Sequence, residues 1–114
     1  MGRSARLNPA MIHVLLSLAE GPGHGYGLLK SIEARTDGAL KLGASTLYYT
    51  IGRLEENGLV RETSVADNSD PHAESRRYFE LTAQGRERLD RELADLSQLV
   101  EAGRRLGLGS AEAG

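Results

Sequence analysis

The chain contains no cysteine and no tryptophan, and its aromatic residues are four tyrosines and one phenylalanine. Without cysteine, disulfides and thiolate metal sites are excluded. With so few aromatics, the core has to be built from aliphatic side chains. The longest apolar run, Met11 to Leu18, is interrupted by His13 and Ser17 and is too short to span a bilayer. The opening MGRSAR lacks the apolar stretch of a signal peptide, so a cytoplasmic protein without membrane association is expected. Excess positive charge is missing too. The net charge is −2, so contact with nucleic acid phosphates would have to come from local clusters. Such clusters exist at Arg3 and Arg6, at Arg76-Arg77, and at Arg86, Arg88 and Arg91, although runs of this kind are mostly solvated surface.

The absences extend to chemistry. His13, His24 and His72 fall in different segments, with no second residue at metal-ligand spacing, so no metal or cofactor is expected. No nucleophile–base order, carboxylate pair in a cleft or phosphate-cradling loop is visible, and the glycines of GPGHGYG follow no strand. An enzyme is therefore not expected.

What remains is patterning. A chain of 114 residues with 39% hydrophobic content suits one domain that buries about two-thirds of its unfolded surface. Asn8-Pro9 marks a helix start, because Asn caps the free N–H groups and Pro lacks one that would go unpaired. This helix is expected to reach Glu20, where Gly21-Pro22-Gly23 stops it. Met11, Ile12, Val14, Leu15, Leu16 and Leu18 leave it almost no polar side, which suggests burial on more than one side, the second against another subunit. A second helix starts at His24 or Gly25 and runs to Thr36, with Leu28, Leu29 and Ile32 inward and Asp37-Gly38 as its stop. Leu40-Lys41-Leu42 alternates like a brief strand.

The third helix, Ala44 to Asn57, carries Leu47, Ile51 and Leu54 on one stripe and ends at Asn57-Gly58, with Leu59 set to pack back. LVRETSV and RRYFELT then flank the polar stretch Ala66 to Ser75 and read as a β-hairpin. Arg76 and Arg77 either face phosphates or guard an edge strand. Thr82 caps a last helix from Ala83 to about Gly103, in which Leu89, Leu93, Leu96 and Val100 repeat at coiled-coil spacing and suggest a symmetric dimer interface. The fold class is thus mainly α with a small β-hairpin (α+β). Residues 1–82 are expected to form a three-helix unit followed by a wing-like hairpin, 83–106 a C-terminal dimerisation helix, and 107–114 a Gly/Ala/Ser-rich tail expected to be disordered.

HGYGLLKSIE, STLYYTIGRLEENGLV and RRYFELTAQGRERL occur in this order and resemble the corresponding segments of PadR-family transcriptional regulators, over roughly residues 10 to 100. The resemblance implies a winged helix-turn-helix whose recognition helix is Ala44–Asn57, and a single C-terminal helix that places the chain in the short subgroup. It also implies a homodimeric repressor on a palindromic operator in double-stranded DNA, with a small apolar or aromatic effector held between C-terminal and first helices. Three positions depart from the family pattern. Tyr49 stands where Pro or Thr is frequent, Gly52 where a Lys or Arg is usual, and Phe79 where a second Tyr is.

A recognition helix reads base edges in the major groove from its N-terminal residues, which nominates Ser45, Thr46, Tyr48 and Tyr49, with Arg53 one turn on. Lys30, Arg76 and Arg77 are expected on the DNA backbone. Met11, Ile12, Leu15, Leu93 and Leu96 would line an effector pocket at the dimer centre, or pack as a dry core. A different class stays open: a winged helix that binds protein and not DNA, which the acidic balance would suit.

Overall fold

The computed structural model describes residues 6–64 and 76–109. Arg3, His72, the loop read at Ala66 to Ser75 and the tail from residue 110 onward lie outside the described residues. Among the described residues there are four helices and one three-stranded antiparallel sheet, an α+β winged-helix arrangement.

Local chemistry sets the helix limits. Helix α1 (Pro9–Leu18) starts where Asn8 Oδ1 accepts from the Met11 N–H at 2.9 Å. It stops two residues before the expected Glu20, with Ala19 as its cap. Helix α2 (Gly25–Arg35) is capped by His24, whose Nδ1 accepts from the Gly27 N–H at 3.2 Å. Helix α3 (Ala44–Glu56) ends as its sequence predicts. Gly58 takes φ +76°, its N–H reaches the Glu55 carbonyl, and the Leu59 N–H reaches the Leu54 carbonyl, both at 3.0 Å. Helix α4 (Ala83–Arg105) is capped by Thr82, which accepts from the Gly85 N–H at 2.9 Å and donates to the Gly58 carbonyl at 2.7 Å. That second bond ties the start of α4 to the end of α3.

Two strand expectations are corrected. Leu40-Lys41-Leu42 forms no strand; Leu40 and Leu42 rest half-buried against the core instead. The additional strand is β1 (Gly23–His24), which pairs with β3 (Tyr78–Leu81) on the side opposite β2 (Val60–Thr63), giving the order β1-β3-β2.

The core is aliphatic around one aromatic. Val14, Leu15, Leu47, Leu54 and Phe79 have no exposed surface. Helix α1 touches α2, α3, α4 and β3 of its own chain, so the second side of this over-apolar helix is covered largely from within. Gly85 permits the α4 contact: a Cβ there would lie 2.9 Å from the Leu59 carbonyl carbon. Glu92, buried on α4, is paired with Arg6 at 3.6 Å. No helix among the described residues is long and apolar enough to cross a membrane, and none of their His, Asp and Glu side chains cluster in a way that would hold a metal ion.

Candidate nucleic-acid interface

Helix α3 is amphipathic in a way that orients its polar side. Leu47, Thr50, Ile51 and Leu54 are buried, Thr50 satisfying its hydroxyl on the Thr46 carbonyl at 2.8 Å. Ser45, Thr46 and Tyr49 are then directed to solvent, with Gly52 and Arg53 half-exposed beside them. Tyr49 is 65% exposed, and its hydroxyl accepts from Arg53 Nη1 at 3.1 Å. Arg53 also lies 3.6 Å from Glu56. Its pKa is raised, chiefly by the Tyr49 hydrogen bond, so it is a fixed cation on this side. At Gly52, nothing lies within 4 Å of where a Cβ would be.

Tyr48 has a different position from its neighbour. Its phenol fits against the backbone of Gly25, and its ring meets Phe79 edge-on at 6.4 Å, leaving it 41% exposed. The side chain joins α3 to α2 and the sheet as much as it faces outward. Lys30, on α2, is exposed, with its ammonium 5.6 Å from the ring centre of Tyr26. Tyr26, 62% exposed, was not among the sequence-nominated residues. Its four-residue spacing from Lys30 is the sequence signal by which it can be found.

The two wing arginines diverge. Arg76 is half-buried, its Nη1 3.0 Å from His24 Nε2, while the His24 ring stacks edge-on with Tyr78 at 5.2 Å. His24 is therefore a cap that also meets the wing, a role its sequence position does not reveal. Arg77 is exposed and donates to both carboxylate oxygens of Glu62, at 3.0 and 3.2 Å, with its guanidinium 5.0 Å from the Phe79 ring centre. The pair holds the Glu62 carboxyl below the usual carboxylate range and raises Arg77. Arg61 donates to Glu80 at 2.6 Å on the same two strands.

Of the residues read as an effector pocket, Met11 and Leu15 are buried in the chain's own core, Ile12 and Leu96 are half-buried, and Leu93 is exposed. Leu93 lines a groove of about 670 Å3 between α1 and α4, together with Leu16, Ala19, Arg86 and Leu89. On the stripe read as a dimer seam, Leu89 is buried within the chain, Leu96 is half-buried, and Leu93 and Val100 are 38% and 52% exposed; Leu99, which lies off that stripe, is 68% exposed.

The arrangement has counterparts. A PadR family transcription regulator from Clostridium difficile superposes with a TM-score of 0.71 at 20% identity, over 90% of this chain and all of that one. A PadR family transcriptional regulator from Eggerthella lenta gives a TM-score of 0.60 at 28% identity, covering 85% and 82% of the two chains. In sequence, an uncharacterized 37.1 kDa protein in transposon TN4556 of Streptomyces fradiae is 38% identical over 94 residues, 82% of this chain. The matched segment is 25% of that protein's length, so the chain spans about a quarter of this relative. Residues 14–91 match the Transcriptional regulator PadR-like family. The chain belongs to the PadR-like family, whose members are transcriptional regulators and not enzymes.

Proposed function

We propose that the chain is a DNA-binding repressor of the short PadR subgroup, acting in the cytoplasm as a homodimer on a palindromic operator. The observation that carries this reading is the outward side of α3, where Ser45, Thr46, Tyr49 and Arg53 stand together on a helix locked from behind by Leu47, Ile51 and Leu54. A helix so presented fits the major groove, and Arg53 has the fork that pairs with guanine or phosphate. Lys30 and the wing arginines Arg76 and Arg77 hold the backbone, and Tyr48 contributes only its outer edge.

The dimer follows from α4. This helix runs for about 35 Å. Gly85, Leu89 and Glu92 are buried against its own chain, whereas Leu99, Val100, Leu106 and Leu108 further on are exposed. A second copy is the occupant suited to this end, because each chain offers both the bare helix and the groove beside Leu16, Ala19 and Leu93. Two recognition helices about 34 Å apart would then read two half-sites. A small apolar or aromatic effector belongs in the same α1–α4 region, where it alters the spacing of the subunits by binding one arrangement better than the other.

A mobility-shift titration against DNA flanking the chain's own gene tests this reading, with Tyr49→Ala and Arg53→Ala alongside. Selective, salt-sensitive binding that loses base preference in these variants supports the repressor. A second readout is the mass in solution, which should be that of a dimer and fall to a monomer in Leu99→Glu. A folded dimer that shifts no DNA at low salt would point to a protein-interaction module.

A further inference from the structure

The exposed arginines of the wing strands are held by glutamates on the facing strand. The register sets Arg61 opposite Glu80 and Glu62 opposite Phe79, which makes Arg77 the diagonal neighbour of Glu62. Arg77 presents Nε and Nη2 to the two Glu62 oxygens at 3.2 and 3.0 Å. This is the two-pronged geometry that a guanidinium offers to a phosphate. Glu62 thus fills the Arg77 fork with two anionic oxygens, as a DNA phosphate would. The pair is at the surface, with the side chains 56% and 50% exposed, so water and ions reach it and the carboxylate can be exchanged. The Phe79 ring, 5.0 Å from the guanidinium, anchors Arg77 independently of Glu62.

Resting on the DNA-binding reading, we propose that Glu62 is an autoinhibitory residue of the wing: it occupies the phosphate-binding fork of Arg77 in the free protein, and duplex DNA engages the wing only by displacing it. Exchange of one ion pair for another yields little net gain, so DNA that offers only its backbone is held weakly. A site whose bases also engage α3 supplies the missing free energy and keeps the wing docked. The carboxylate of Glu62 therefore weakens binding through the DNA backbone, in keeping with a net charge of −2 on a DNA-binding chain.

The test is fluorescence anisotropy of the full chain with a labelled random-sequence duplex across a salt series. It compares the parent with Glu62→Gln, Arg77→Ala, the double variant, and Asp95→Asn as a charge control from the exposed middle of α4. Thermal melts establish that each variant is folded. Freeing one phosphate contact should tighten Glu62→Gln binding by about threefold or more at low salt. It should also add about a 3.5-fold loss between 50 and 200 mM salt, the increment for one released counterion. The double variant should lose this gain, and Asp95→Asn should follow the parent. Coincident affinity and salt slope for the parent and Glu62→Gln, with both binding DNA, overturn the proposal. So does a gain that persists without Arg77 or appears equally in Asp95→Asn, since either outcome reports bulk charge. If no variant binds DNA under any condition, the DNA reading itself falls and takes this inference with it; binding by Glu62→Gln alone supports both.

Discussion

Tyr48 occupies the space that a side chain on Gly25 would fill. A Cβ at Gly25 would lie 2.8 Å from Tyr48 Cζ, closer than real side-chain contacts allow. Gly25 opens α2 and Tyr48 sits in the second turn of α3, so the two helices of the helix-turn-helix are brought together at a position with no room for a methyl group.

Gly25→Ala should therefore destabilise the fold by about 1–3 kcal/mol, the usual range for overpacking, despite Ala being the better helix former. Chemical denaturation measures the change. In a Tyr48→Ala background the same substitution should become neutral or mildly stabilising. An equal cost in both backgrounds would show that the Tyr48 contact is not its cause.

Gly85→Ala should be harsher, because the obstacle is main chain. The Leu59 carbonyl carbon would lie 2.9 Å from the new Cβ, as would Leu81 Cδ1. A side chain can rotate away, but the Leu59 carbonyl is held by the Thr82 N–H at 3.1 Å. A loss of about 3 kcal/mol or more is expected in denaturant, and Leu81→Ala should not restore it.

Gly52→Lys is expected to stabilise the fold and to strengthen DNA binding. Nothing lies within 4 Å of a Cβ at Gly52, so the substitution meets no clash. Replacing a mid-helix Gly by Lys should add about 0.5–1 kcal/mol, visible as a melting temperature several degrees higher. The new cation, one turn after Tyr49 on the proposed reading side, should also steepen the salt dependence of DNA binding by about one phosphate. A stabilised variant with an unchanged salt slope would place Gly52 away from the DNA.

For pH dependence, the relevant pair is Glu62–Arg77. Arg77 holds the Glu62 carboxyl below its ordinary value. A depressed carboxyl contributes stability that is fully present above its unfolded pKa and is lost as pH falls through the folded one. An NMR titration of the Glu62 carboxyl carbon should give a midpoint below that of an ordinary glutamate, and Arg77→Met should move it upward. A midpoint indifferent to Arg77 would mean that the two side chains do not pair in solution.

Much of the framework was legible because helix limits are set by neighbours in sequence. Asn8, Thr82 and the Asn57-Gly58-Leu59 stop all act where their sequence positions place them. Strand β1 was not legible: two residues are too few for an alternating pattern, and they become a strand only because β3 presents an edge to them. The α4 stripe was visible as a stripe, but which part the chain itself covers was not. Leu89 is buried against the chain's own helices, and the bare apolar surface lies further along at Leu99 and Val100.

The candidate site divides the same way. Sequence placed Ser45, Tyr49 and Arg53 on the free side of α3, because the buried stripe of Leu47, Ile51 and Leu54 leaves them no other side. It read Tyr48 as partly buried without showing what covers it, and it treated Arg76 as equivalent to Arg77. Only the tertiary structure supplied the partners, by setting Tyr48 against Gly25, Arg76 beside His24 and Arg77 on Glu62. The physical reason is range. Caps, stops and amphipathic stripes depend on residues within about one or two turns, so sequence spacing determines them. The partner of a long cation, or the room left for a methyl group, depends on segments that meet only when the chain has folded.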